Sequence, residues 1–297
     1  MSESSIQDRT VTVGVDGSAG SAAALRWAVD HADQLGAIVP VMTFVTGPFV
    51  YGFGEVDGPD SDAEPYRSEA ILHLESFLRE HVPALVGRGA VTESRAGPGL
   101  VHLAEGSELL VVGTRGWSAR SGLALGSVGA YCARHSTVPV ALIPHGEQPV
   151  HEHLDVVVGF DGSPHAQGAL QWTLTHLRRS ARVVVVNAYE SVIGEPLSLS
   201  PEHAEEGARE VLEVGLRAAR RDLDGHPSVE LVVMRGDPRV ALRTASGAAD
   251  LLVVGSRGQG VLDRLLLGSV ANALVDHPSV PTIVVPGREL PTTAQPR

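Results

Sequence analysis

The segment VTVGVDGSAGSAAALRWAV, starting at Val11, returns as VVVGFDGSPHAQGALQWTL from Val156, which puts Asp16 and Asp161 145 residues apart. LLVVGTRG from Leu109 returns as LLVVGSRG from Leu251, and LGSVGAYCARHSTVPVALIP from Leu125 returns as LGSVANALVDHPSVPTIVVP from Leu267, both at an offset of 142. A duplication of this length requires each copy to fold around its own core. The 297 residues suit two such units, at about 150 residues each. The expected domains are 8–146 and 153–288, joined by the polar segment HGEQPVHEH, His145 to His153. The change of offset places insertions. Repeat 1 carries a longer Gly/Pro/Asp-rich middle loop, Gly47 to Pro65, and aligning Gly97 with Gly236 makes its third helical segment three residues shorter.

Within each copy, short β-branched runs alternate with helical patterns. Val11–Asp16 and Val39–Val45 are nearly continuous apolar runs, as strands buried on both faces of a parallel sheet require. Ala90–Ser94, Leu109–Gly113 and Val138–Pro144 are further strands. Between the first two, Ala22, Leu25, Val29 and Ala32 recur at helical spacing. Ser18 and Ser163 stand at N-cap positions, and Pro164 suits a first helical turn. Strand and helix alternating through short connections predict right-handed βαβ units. The fold class is therefore α/β: two tandem, doubly wound, Rossmann-like domains, each with a parallel sheet of about five strands.

In such sheets ligands sit beyond the carboxyl ends of the strands. After the fourth strand comes Gly113-Thr114-Arg115-Gly116, then nine residues, then Gly126-Ser127-Val128; the second copy has Gly255-Ser256-Arg257-Gly258, nine residues, and Gly268-Ser269-Val270. Glycines let backbone N–H groups converge on phosphate oxygens, and the following helix start adds donors and a favourable dipole. Ser127 and Ser269 offer a hydroxyl to a phosphate or a metal-bound water, and Arg115, Arg120, Arg257 and Arg264 can offset phosphate charge. Glycine and serine also serve strand turns and helix caps, but two copies at one spacing favour the ligand reading. Asp16 and Asp161 end the first strand in G-V-D-G-S and G-F-D-G-S. There they either form an Asp-Gly-Ser turn and cap or accept hydrogen bonds from a ribose hydroxyl or adenine amine.

Composition narrows the chemistry. All 23 basic residues are arginine. With no lysine there can be no G-x-x-x-x-G-K-[ST] phosphate loop, kinase-type strand lysine, lysine Schiff base or response-regulator receiver site. A formal net charge of −12 argues against a nucleic-acid partner. No apolar run approaches a membrane span, and the polar start lacks the order of a secretory signal. One cysteine, Cys132, fits a reducing, cytoplasmic setting.

These motifs resemble the universal stress protein family in its tandem, ATP-binding form. The G-2x-G-9x-G-[ST] pattern is complete in both halves, together with the V-G-[VF]-D-G-S start and the T-V-P-V or S-V-P-T entry to the last strand. The resemblance spans Val11 to Pro286 and implies a five-stranded parallel sheet with ATP across its carboxyl ends. In the first half it implies adenosine near Gly14, Asp16 and Phe44, with phosphates on Gly113, Thr114, Arg115, Gly116, Trp117, Ser118 and Ala119 and on Gly126, Ser127 and Val128. In the second half it implies Gly159, Asp161 and Ala188, then Gly255, Ser256, Arg257, Gly258, Gln259, Gly260 and Val261, then Gly268, Ser269 and Val270. The family often has a further glycine two positions after the second motif glycine. Gly260 supplies it, but the first half has Ser118 after bulky Trp117, and Phe44 is larger than Ala188 where adenine is flanked. The resemblance further implies two ATP sites per chain, Mg2+ accompanying the phosphates, homodimerisation through the last strand of each domain, and an unidentified regulatory protein partner.

Other candidates are weaker. His151 and His153 lack further metal ligands, Cys132 lies on an apolar helix face, and Trp27 and Trp172 occupy matched core positions. Glu202 to Glu210 reads as a solvated helix face. No catalytic residue stands out. The expected function is nucleotide sensing in a stress response, with ATP hydrolysis weak at most. The rival classes are an ATPase or nucleotidyl-transferring enzyme of the same α/β group and a nucleotide-free dimerisation module.

Overall fold

Apolar, β-branched runs form the strands. The computed structural model describes residues 9–44, 63–116, 125–146, 151, 153–177, 179–189, 201–221, 223, 225–258, 267–276 and 278–287. The chain divides into two units, Met1–Gln148 and Pro149–Arg297.

In the first unit β1 (Thr10–Gly14) is central. It pairs in parallel with β2 (Ala37–Phe44) and β4 (Leu109–Gly113); β3 (Ala90–Glu93) pairs with β2, and β5 (Val140–Ile143) with β4. The order is β3-β2-β1-β4-β5. Val11, Val13, Leu109, Leu110 and Val111 are completely buried, as strands covered on both faces must be.

Helix α1 (Ala19–Asp30) connects β1 to β2. It starts at Ser18, whose hydroxyl accepts the Ser21 N–H at 3.2 Å, and buries Ala22, Leu25 and Trp27. Three further helices start without a side-chain cap: α2 (Ala32–Leu35), α3 (Glu64–His81) before β3, and α4 (Ala96–Leu103) between β3 and β4. Helix α5 (Ser127–His135) precedes β5, and Cys132 sits wholly buried on its inner face. Burial pushes the Cys132 thiol up to about 12, so it is a small core residue and not a nucleophile.

The second unit repeats this order. β6 (Asp155–Gly159) lies between β7 (Arg182–Tyr189) and β9 (Leu251–Gly255), with β8 (Ser228–Arg235) outside β7 and β10 (Thr282–Val285) beside β9, all parallel. Its helices are α6 (Pro164–His176), α7 (Pro201–Arg220), α8 (Pro238–Ser246) and α9 (Ser269–Asp276). Along α7, Glu202, Glu205, Glu206 and Glu210 are exposed, as the charge run predicts. Trp27 and Trp172 are both buried and stack on His31 and His176 one turn later. His151, at the start of the second unit, hydrogen-bonds Asp250, whose other oxygen accepts the Asp155 N–H at 2.8 Å.

Strand register corrects one expectation. The Val15 N–H donates to the Val41 carbonyl, and Phe160 to Val186, which fixes the offset at 145 through β2 and β7. Val41 pairs with Ala90 while Val186 pairs with Val232, and Ser94 donates to Phe44 as Gly236 does to Tyr189. The offset is therefore already 142 at the third strand. The third helical segment of repeat 1 is not shortened; the whole three-residue difference lies between the second and third strands. Gly97 misled the alignment because it lies inside α4, against the Tyr131 ring, whereas Gly236 is a turn residue at φ 129°.

Candidate functional site

Each unit has a cleft at the carboxyl ends of its central strands, about 340 Å³ in the first and about 360 Å³ in the second. Four elements meet at each: the end of the first strand, the end of the second, the loop after the fourth, and the start of the helix that follows that loop.

The first strand ends in an Asp-Gly-Ser turn. Asp16 Oδ1 accepts the Ser18 N–H at 3.0 Å and its hydroxyl at 2.5 Å; Asp161 Oδ1 accepts the Ser163 N–H at 2.9 Å. The second carboxylate oxygen turns towards the loop after the fourth strand. A Cβ at Gly116 would stand 2.5 Å from Asp16 Oδ2, and one at Gly258 would stand 2.6 Å from Asp161 Oδ2. The aspartate thus serves the Asp-Gly-Ser turn and also reaches the loop.

The loop approaches the sheet closely at its origin as well. A Cβ on Gly113 would lie 2.6 Å from the backbone of Gly20, and one on Gly255 would lie 2.6 Å from that of His165. Thr114 and Ser256 are buried and do not line the clefts. Their N–H groups donate to Ile143 and Val285, and their carbonyls accept the Gly126 and Gly268 N–H groups at 2.7 and 2.9 Å. They pin the loop between the last strand and the helix start.

Beyond that pin, α5 has Gly126 as N-cap and no side-chain cap. Ser127, Val128 and Gly129 line the first cleft, and Ser269, Val270 and Ala271 the second. These residues carry the first-turn N–H groups that a helix leaves without intrahelical acceptors. With Arg115 and Arg257 also in the lining, this end of each cleft suits an anion.

The opposite end is formed by the second strand and the third helical segment. Val41, Met42, Thr43, Ala96 and Leu100 line it in the first unit, and Val186, Asn187, Ala188, Pro238 and Leu242 in the second. Here the expected residue shifts by one. Because Val41 matches Val186, the counterpart of Ala188 is Thr43, and Phe44 matches Tyr189. Phe44 does not line the cleft, whose strand-end lining stops at Thr43.

Of the remaining expected residues, Gly14, Asp16, Gly113, Arg115, Gly116, Gly126, Ser127 and Val128 line the first cleft. Gly159, Asp161, Ala188, Gly255, Arg257, Gly258, Gly268, Ser269 and Val270 line the second. Trp117, Ser118, Ala119, Gln259, Gly260 and Val261 lie outside the described residues, as do Arg120 and Arg264. Sequence reading missed Thr43, Asn187, Leu100 and Leu242. Extending the 145-residue offset from Ala188 through the second strand would have found Thr43.

A five-stranded parallel α/β unit, present twice and with a glycine loop and helix start at each set of strand ends, is a Rossmann-like architecture. The chain belongs to the universal stress protein family, whose sequence profile matches residues 9–144 and again 154–286. It is 30% identical over 299 residues to universal stress protein Rv1996 of Mycobacterium tuberculosis, covering 92% of this chain and 94% of that protein. A universal stress protein of Mycolicibacterium smegmatis is 28% identical over 293 residues, at 93% and 96% coverage. Among solved structures, a universal stress protein from Archaeoglobus fulgidus shares the fold at a TM-score of 0.66 and 19% identity, covering 95% of this chain and 100% of that one.

Proposed function

We propose that this universal stress protein binds ATP in each of its two clefts and acts as a regulatory nucleotide sensor. The observation that carries the reading is the matched construction of the clefts. In both, a glycine loop packed on an aspartate and an uncapped or glycine-started helix face one end, and an apolar strand end faces the other. That polarity fits a molecule with an anionic tail and a flat apolar base. The volumes, about 340 and 360 Å³, fall in the range of small-ligand sites.

The phosphates would take the N–H groups of Ser127, Val128 and Gly129, or of Ser269, Val270 and Ala271, with the arginine of each loop offsetting charge. No group of three or more His, Cys, Asp or Glu able to hold a metal occurs among the described residues. Mg2+ would therefore ride on the phosphates, with the Ser127 or Ser269 hydroxyl as the protein's contribution. Asp16 and Asp161 would meet the ribose. Occupancy would act by linkage, drawing the population to the arrangement that binds nucleotide, which a protein partner then recognises. The resemblance also supports a cytoplasmic setting and self-association of the chain; no described helix is long and apolar enough to cross a membrane.

The test is to denature the purified protein, identify released nucleotide by mass spectrometry, and titrate the emptied protein with ATP. Released adenine nucleotide and a stoichiometry of two per chain are expected. Absence of both nucleotide and ATP affinity would sink the proposal.

A further inference from the structure

The two units differ in the first turn of the helix that follows their first strand. Gly20 in the first unit corresponds to His165 in the second, at the 145-residue offset of the first strands. A Cβ on Gly20 would collide with the Arg115 carbonyl, so the first unit has no room for a side chain there, whereas the second accommodates an imidazole. His165 is half-buried. Its backbone lies 2.6 Å from where a Cβ on Gly255 would stand, at the origin of the glycine loop, and its ring lies against Gly287, just after β10. The residue thus bridges the loop that lines the second cleft and the chain that leaves the last strand.

Among the described residues two charged groups act on the ring. They are Arg257, in the loop, and Asp161, in the turn after β6, and both line the second cleft. Gly287 carries no charge, and neither do Pro164, Ala166, Gln167 and Gly168 around His165 on α6. Burial and then Arg257 hold the imidazole below the ordinary histidine range, with Asp161 acting the other way. The first turn of α6 works in the same direction as Arg257, because a helix start disfavours a cation. An anion at the loop reverses this balance: it offsets the Arg257 charge and itself attracts an imidazolium.

We infer that His165 is a positioning residue that couples anion binding in the second cleft to uptake of a proton, and that the first cleft, with Gly20 in its place, lacks this coupling. The inference rests on the nucleotide reading above. His165 acts through Arg257 and the loop, and not by touching the ligand. The second cleft therefore binds ATP more tightly as pH falls through the histidine range, from about pH 8 to pH 5, while the first follows only the titration of ATP itself. Acidification shifts nucleotide preference within one chain towards the second cleft.

Calorimetry on the emptied full-length protein, titrated with ATP at about pH 6 in buffers of different ionisation enthalpy, counts the protons taken up on binding. His165→Gln keeps a neutral polar side chain in the same space and removes the titration. The wild type should take up more protons per chain than this variant, by a fraction of one; protonation of ATP itself is common to both and cancels. On going from about pH 8 to pH 6, affinity at one of the two sites should rise by about 3- to 10-fold more in the wild type than in the variant, the scale of one unit charge acting on another in a partly solvated region. A merely structural role would weaken binding in the variant by the same factor at every pH. NMR of the wild type should show the His165 ring proton, assigned by its absence from the variant, titrating at a higher midpoint with ATP bound than without. Equal proton uptake by the two proteins, or a His165 midpoint indifferent to ATP, would overturn the inference while leaving two-site binding intact. Failure of the wild type to bind ATP would overturn the reading on which it rests, and the inference with it.

Discussion

Gly116 and Gly258 show how one residue can carry two constraints. In the proposed site the loop comes close to the phosphates, which favours glycine for access, and an aspartate oxygen already fills the space where a Cβ would go, 2.5 Å away in one copy and 2.6 Å in the other. The carboxylate cannot simply swing aside, because its other oxygen holds the Ser18 or Ser163 N–H. Gly116→Ala should therefore displace both Asp16 and the loop and reduce ATP affinity at the first cleft by at least about tenfold, the effect of losing one charge-assisted hydrogen bond. Gly258→Ala should do the same at the second. Isothermal titration of each single variant should show one site lost and the other intact, and unchanged stoichiometry in the double variant would count against the loop as the phosphate site. The motif spacing was legible in the sequence. The aspartate contact was not, since Asp16 and Gly116 are far apart along the chain and meet only because β1 and β4 are adjacent.

At the scale of elements, the first helix of each unit shows how an equivalent position can differ in its bonding. Ser18 and Ser163 both cap their helices, accepting the N–H of Ser21 and Ala166 at 3.2 Å. Their hydroxyl protons go elsewhere: that of Ser18 to Asp16, and that of Ser163 to the Arg257 carbonyl in the glycine loop at 3.3 Å. Ser163→Ala should cost the second unit about 1 kcal/mol, the usual worth of an N-cap, and should also loosen its loop. Chemical denaturation measures the first effect; a weaker ATP affinity at the second cleft alone registers the second. The strands and caps were readable because apolar runs and serine-proline starts are local signals. The third helical segment was misjudged because Gly97 and Gly236, alike in sequence, do different work. Only the pairing of the third strand with the second showed where the three-residue difference falls.

At the scale of the whole molecule, duplication has not produced two identical units. His165 occupies the place of Gly20, beside the second glycine loop. Burial, with the nearby Arg257, holds its imidazole below the ordinary histidine range, and Asp161 offsets this in part. The neutral form is favoured on folding, so stability is unaffected above a pH of about 6.5, the unperturbed histidine value. As pH falls below that, the unfolded chain takes up the proton first and stability declines until the folded-state value is passed. His165→Gln should flatten this decline in denaturation profiles between about pH 7 and pH 5, the span in which histidine titrates; an unchanged profile would refute it. The sequence by itself determined the α/β class, the duplication and both glycine loops, because each is written in periodicity and spacing along the chain. Tertiary structure alone decided that Thr43 and not Phe44 lines the first cleft, and that Asp16 and Asp161 abut the loops. These facts depend on strand register and on which strands are neighbours, which pair residues far apart along the chain and are set only when the sheet assembles.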